Sequence, residues 1–185
     1  MATVESKMIS LGTLAPEFNL VDVHINQKRS FETLKGDQAT VIMFICNHCP
    51  YVKHIIDGVV EVANEFLDEG ISFIAISSND IEKHPDDSPE NMHEFAEAHN
   101  FPFPYLFDET QEIAHEYDAA CTPDFYVFDD EDKLVYRGQF DESRPKNDEP
   151  VTGKDLRNAL SNILNGLPVN PEQKPSIGCN IKWKQ

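Results

Sequence analysis

Thr40-Val41-Ile42-Met43-Phe44-Ile45-Cys46-Asn47-His48-Cys49-Pro50 is the stretch that decides how this chain is read. Residues 40–45 lack polar alternation and are rich in β-branched side chains, the pattern of a central strand covered on both faces. Beyond the cysteines, Val52, Ile55, Ile56, Val59, Val60, Ala63, Phe66 and Leu67 recur at spacings of three, four and seven. That spacing marks one apolar face of a helix, which Gly70 ends. Residues 71–77 form a second buried run, so the order is strand, turn, helix, strand. Such a unit places two parallel strands in one sheet with a right-handed crossover. The two cysteines fall at the carboxyl end of the first strand, where open α/β sheets place their sites.

Working outward, residues 17–23 alternate as a strand, 24–30 read as a turn, and 31–36 as a short helical turn closed by Gly36. On the other side, residues 79–89 are polar, and Ser88-Pro89 opens a helix through about residue 99, with serine as cap and proline at the first helical position. A short strand at 105–107, a helix over 110–117, and a hairpin pairing 124–128 with 133–137 around four acidic residues follow. A last helix over 152–164 leads into a proline-spaced tail that turns basic at Lys182 and Lys184. The expectation is an α/β protein with a mixed sheet flanked by helices, an N-terminal strand extension, one domain over 1–165, and a tail over 166–185 lying against it.

The chain has 185 residues, of which 33 are acidic and 15 basic, for a formal charge of −18. Nucleic acid is a poor partner, because that binding is dominated by attraction of Lys and Arg to phosphate. An anionic membrane surface repels it as well. With 40% hydrophobic residues the chain can bury one sizeable core. The start carries no basic cluster followed by an apolar run, and no apolar run approaches the ~20 residues of a membrane span. A cytoplasmic protein is expected. Four cysteines are too sparse for a disulfide-stapled scaffold, so the close pair Cys46 and Cys49 points to redox chemistry or a metal.

A helix N-terminus supplies unpartnered N–H groups and partial positive charge, both of which stabilise a thiolate placed there. Pro50 follows Cys49 cheaply only inside the first turn, where its missing N–H has no partner anyway. From this, Cys46 is expected at or just before the helix cap, as the more exposed and attacking sulfur, with Cys49 one turn in as the resolving thiol. His48, when protonated, adds positive charge beside Asn47 and makes the disulfide more oxidising. The competing reading is zinc held by Cys46, Cys49 and a histidine such as His54, although no second tight ligand pair is visible. A redox-sensing protein without catalysis is the third reading.

Taken with Cys121-Thr122-Pro123-Asp124 ahead of the hairpin and the opening Gly12-Thr13-Leu14-Ala15-Pro16-Glu17-Phe18, this order of elements resembles the thioredoxin-like superfamily. It is most similar to the branch shared by AhpC/TSA peroxiredoxins and TlpA-type thiol-disulfide oxidoreductases. The resemblance implies that Pro123 is a cis-proline facing the active cysteines, with Thr122 presenting its backbone to substrate. It also implies no bound cofactor, substrates that are protein or small-molecule disulfides or peroxides, and an external thiol reductant such as a thioredoxin. The Cys-x-His-Cys pattern is similar to that of oxidising disulfide exchangers. Two departures stand out. Ile45 and Thr40 occupy the places of the thioredoxin Trp and Asp. If Cys49-Pro50 matches the peroxidatic Cys-Pro, Cys46 replaces a threonine and Thr122 lies where an arginine is expected.

The expected function is therefore thiol-disulfide exchange through Cys46 and Cys49. A peroxidase with antioxidant activity through Cys49 is the alternative. Cys121, beside the expected cis-proline, and Cys179, in the tail with the only Trp, are candidates for additional redox roles. Simple packing is the competing account of each.

Overall fold

The computed structural model describes residues 2–185. From the N-terminus, β1 (Thr3–Glu5) precedes β2 (Asn19–Asp22), β3 (Gln27–Ser30), the one-turn helix α1 (Phe31–Leu34) and β4 (Ala39–Phe44). Then come α2 (Pro50–Phe66), β5 (Ile71–Ser77), α3 (Pro89–Ala98), β6 (Tyr105–Phe107) and α4 (Glu112–Glu116). The chain closes with β7 (Cys121–Thr122), β8 (Asp124–Asp129), β9 (Leu134–Gly138), α5 (Lys154–Leu164) and β10 (Ile177–Asn180).

All six residues of β4 are buried, as its apolar, β-branched composition requires of a central strand. It pairs parallel with β5 and antiparallel with β8 in a seven-stranded mixed sheet of order β3-β2-β6-β5-β4-β8-β9. The alternation of a strand then divides its side chains. Val41 and Met43 join Val52, Ile56, Leu156 and Leu160 in the core under α2 and α5. Ile42 and Phe44 meet Phe31, Tyr117, Tyr126 and Phe128 on the opposite face. The α/β architecture, the βαβ unit and the hairpin stand as expected. Ser88 caps α3 by accepting the Asn91 N–H at 3.3 Å. Among the described residues, no helix is long and apolar enough to cross a membrane.

Two segments differ from the sequence reading. Residues 27–30, read as part of a turn, form β3 and pair only with β2. An edge strand with one neighbour and exposed or half-buried side chains carries no apolar signal. In the tail, β10 pairs antiparallel with both β1 and β7, forming a second, three-stranded sheet. Beyond it Ile181 enters the core and Trp183 stacks on His115 with ring centroids 4.2 Å apart. This small sheet joins the two ends of the chain directly over Thr122.

Gly178 makes that pairing possible, because a Cβ there would lie 1.9 Å from the Thr122 carbonyl oxygen. Gly178→Ala is expected to lower the unfolding free energy by about 1–3 kcal/mol, the usual cost of overpacking a tight contact. Urea denaturation checks this, and an unchanged midpoint would mean that β10 does not lie against Thr122 as described.

Candidate active site

After β4 the chain turns through residues 45–49, and α2 begins with Pro50 at its first position. The residue before a proline is held extended, and Cys49, at φ −72° and ψ 122°, is accordingly the N-cap. This corrects the register expected from the sequence. Cys46 lies three residues ahead of the cap, in the turn, and Cys49 is at the helix end rather than one turn in. Nor does exposure separate them, since Cys46 is 1% and Cys49 0% exposed.

Four groups converge on the Cys49 Sγ. Cys46 donates its thiol proton to it, the Cys179 Sγ stands 2.9 Å away, the Val52 N–H of the first helical turn points at it, and the Thr122 carbonyl oxygen lies at 3.3 Å. Hydrogen bonding from Cys46, with help from Cys179, the Val52 N–H and the Thr122 side-chain hydroxyl, outweighs burial and lowers the Cys49 thiol to about 5. Cys46 moves the other way, well above its ordinary range. Its bond to Cys49, its burial and the negative charge of Asp87 all hold its proton on. The pair is therefore asymmetric, with the thiolate on the capping sulfur.

Thr122 touches both sulfurs, because its Oγ1 lies 3.5 Å from the Cys46 Sγ. The Thr122-Pro123 bond is cis, the geometry that the resemblance implied. Cys179 is pushed up to about 12 by burial and by its bond to Cys49. Cys121 is buried beside Pro123, whose carbonyl oxygen is 3.8 Å from its Sγ, and burial raises its thiol.

Asp87 is the residue the sequence reading missed. It is fully buried, and its carboxylate accepts the Asn47 N–H and the Asn79 side-chain N–H, each at 2.8 Å. His48 Nδ1 approaches the same carboxylate at 2.6 Å, so His48 faces Asp87 rather than lending its charge freely to the thiolate. The Asn47 side chain is fixed by the Tyr105 hydroxyl, which donates at 2.8 Å, and by donation to the Asp86 carbonyl at 3.0 Å. Nothing local in the sequence marks Asp87, which stands in a polar loop some forty residues on.

A metal reading also changes its membership. Cys46, His48 and Asp87 each offer a ligand atom, all within 4.8 Å of one another, whereas His54 is not among them. The 2.6 Å His48–Asp87 contact is closer than the ~3.3 Å that two ligands keep around a tetrahedral zinc with ~2.0 Å bonds. These two side chains touch each other directly, without room for an ion between them. A second group, His24, His93 and Glu97, is half-buried to exposed and includes no cysteine.

Comparison with known proteins places these features. A family model described as the AhpC/TSA family matches residues 11–137. No curated protein matches the chain. It is similar to the crystal structure of an uncharacterized conserved protein from Geobacillus kaustophilus, 58% identical over 100% of this chain and 97% of that one, with a TM-score of 0.98. A hypothetical protein from Sinorhizobium meliloti 1021 is 42% identical over 97% of this chain and 98% of that one, at a TM-score of 0.95. The peroxidoxin BcpB from Mycobacterium tuberculosis shares the fold at 19% identity, covering 86% of this chain and 98% of its own, with a TM-score of 0.63.

The asymmetry has a direct readout. Raising the pH of the fully reduced protein is expected to bring in the ultraviolet absorbance of one thiolate with a midpoint of about 5. Cys49→Ser removes this step and Cys121→Ser keeps it. A first midpoint at about 8 or above, that of an ordinary thiol, would overturn the assignment.

Proposed function

The chain belongs to the AhpC/TSA family, with a thioredoxin-like fold and oxidoreductase character, and from that premise we propose that it exchanges thiols and disulfides through Cys46 and Cys49. The observation that carries this reading is the Cys49 Sγ at the cap of α2, held as thiolate by S–H and N–H donors. The same observation reverses the roles expected from the sequence. Cys49 attacks one sulfur of a substrate disulfide, forming a mixed disulfide and expelling a thiolate that takes up a proton. Cys46 then gives up its proton, attacks the Cys49 sulfur and expels the second substrate thiolate. The products are the Cys46–Cys49 disulfide and two substrate thiols, so two electrons pass to the substrate. An external thiol reductant returns the pair to its starting state.

Thr122, whose carbonyl oxygen and hydroxyl lie against the two sulfurs, is paired with β10, so the backbone edge expected to receive substrate is covered by the tail. Burial of Cys49 sets a condition on a protein substrate, because β10 has to lift before a protein disulfide reaches that sulfur.

Peroxide reduction is the second reading, favoured by the thiolate of Cys49 directly before Pro50 at a helix end. Against it, the groups that bond Cys49 are two thiols, an amide and Thr122, with no guanidinium among them. Peroxidase catalysis needs donors aimed at the leaving oxygen. Here Cys46 and Thr122 stand in the places where those donors were expected.

Cys46→Ser combined with Cys179→Ser, which removes both neighbouring thiols, is expected on incubation with a disulfide substrate to accumulate a mixed disulfide at Cys49 that mass spectrometry maps. Cys49→Ser is expected to slow exchange about a hundredfold, since an ordinary thiol is on the order of 1% ionised near neutral pH. Trapping at Cys46 in Cys49→Ser, at the wild-type rate, would return the nucleophile to Cys46. Stoichiometric hydrogen peroxide should oxidise the reduced protein more slowly than the substrate disulfide does, and a rapid sulfenic acid at Cys49 would favour the peroxidase.

A further inference from the structure

Cys179 is the outermost of three sulfurs in series. Its Sγ stands 2.9 Å from that of Cys49, which accepts in turn from Cys46. On its other side Cys179 lines a 280 Å³ pocket together with Pro50, Tyr51, Arg144 and Lys146. Of the four cysteines it is the one at this pocket. The volume lies at the small end of the ~300–1,000 Å³ of small-molecule clefts, room for a small thiol and too little for a folded partner.

The charge of the pocket runs against that of the molecule. The chain carries −18, yet this pocket presents two cations. Among the described residues neither Arg144 nor Lys146 is in an ion pair. Arg144 donates to the carbonyl oxygens of Asp141 and Ser143 at 2.8 and 2.7 Å and to the Gln139 side-chain oxygen at 2.6 Å. These acceptors are neutral and hold the guanidinium in place, the carboxylate its charge reaches, Glu142, is itself paired with Lys174, and the Arg144 Nε is buried with no partner. The neighbouring Asp141 carboxylate is turned to the backbone N–H groups of Thr152 and Gly153, each at 2.7 Å. A fixed guanidinium held outside any ion pair is suited to a carboxylate.

We propose that Cys179 is the sulfur through which the site is reduced, and that the reductant is a small thiol bearing a carboxylate, seated between Arg144 and Lys146. This rests on the Cys46–Cys49 redox pair proposed above. Starting from that disulfide, Cys179 gives up its proton and attacks the Cys49 sulfur. The Cys49–Cys179 bond forms, the Cys46–Cys49 bond breaks, and Cys46 leaves with a proton. The small thiol, as thiolate, attacks the Cys179 sulfur and expels Cys49 as thiolate. A second small thiolate attacks the sulfur of the first, releasing the small-molecule disulfide, and Cys179 takes up a proton. Two small thiols are oxidised, the pair is reduced by two electrons, and one proton goes to solvent because Cys49 stays ionised. Leaving-group stability favours the exchange at Cys179. Cys49, lowered to about 5, is the better leaving group of the Cys49–Cys179 disulfide, so the pocket-facing sulfur is the one attacked.

The test uses three thiols of similar size and different charge: 3-mercaptopropionate, 2-mercaptoethanol and cysteamine. The protein is first oxidised with hydroxyethyl disulfide, and reduction is followed at equal thiolate concentration. Reduction is expected to run about tenfold faster with the anion than with the cation, as a locally charged cleft gives, and the preference should shrink with added salt. Arg144→Gln combined with Lys146→Gln is expected to abolish the preference. Acid-quenched wild type should carry a Cys49–Cys179 disulfide or a mercaptopropionate adduct on Cys179, and Cys179→Ser should be reduced at least about tenfold more slowly. Equal rates for the three thiols, adducts confined to Cys46 or Cys49, or a wild-type rate in Cys179→Ser would overturn the relay. Failure of the underlying pair shows differently, as no Cys46–Cys49 disulfide in the oxidised wild type.

Discussion

Pro50 at the first position of α2 is the constraint on which the site depends. A proline there cannot donate, and it holds the preceding residue extended, so Cys49 becomes the cap at the carboxyl end of a strand that is buried along its whole length. The position of one sulfur against the first turn of a helix follows from that, while its ionisation rests first on the hydrogen bond from Cys46, with Cys179 and the Val52 N–H adding to it.

The thiolate is held by protein groups that also bury it. Cys46 and Cys179 supply S–H donors from either side, Val52 an N–H from the helix, and together they outweigh the cost of taking the charge out of water. Asp87 sharpens the difference between the two cysteines. Its buried carboxylate acts on Cys46, raising that thiol further, while its contacts with Asn47, Asn79 and His48 keep it in place. His48, which on its own suggests positive charge beside the sulfurs, is turned onto this carboxylate.

The second sheet gives the site its enclosure. β10 is tied to β7 at Thr122 and to β1 at the other end of the chain, and the close approach at Gly178 lets its backbone lie on the Thr122 carbonyl. The same strand carries Cys179 into contact with Cys49. The tail thus covers the cysteine pair and adds a third sulfur to it.

Much of the fold was legible in the sequence because its signals are local. The unbroken apolar run of residues 39–44, the three-and-four spacing after Cys49, Ser88-Pro89 at a helix start and the hairpin after Pro123 each act within a few residues. The cysteine pair after a central strand and the cis Thr122-Pro123 bond were legible too, the first from CxxC in a strand-turn-helix setting, the second from the family resemblance. By itself, then, the sequence determined an α/β chain with two cysteines at the carboxyl end of a central strand. Only the tertiary structure decided which of them is ionised, because that depends on where the helix starts and on hydrogen bonds from Cys46, Cys179 and the Thr122 hydroxyl, the last two 130 and 73 residues from Cys49 along the chain. Asp87 and the Arg144–Lys146 pocket belong to the same class. They act through charge and contact across space, and no spacing rule along the chain records which distant loops the packing of a sheet and its helices brings together.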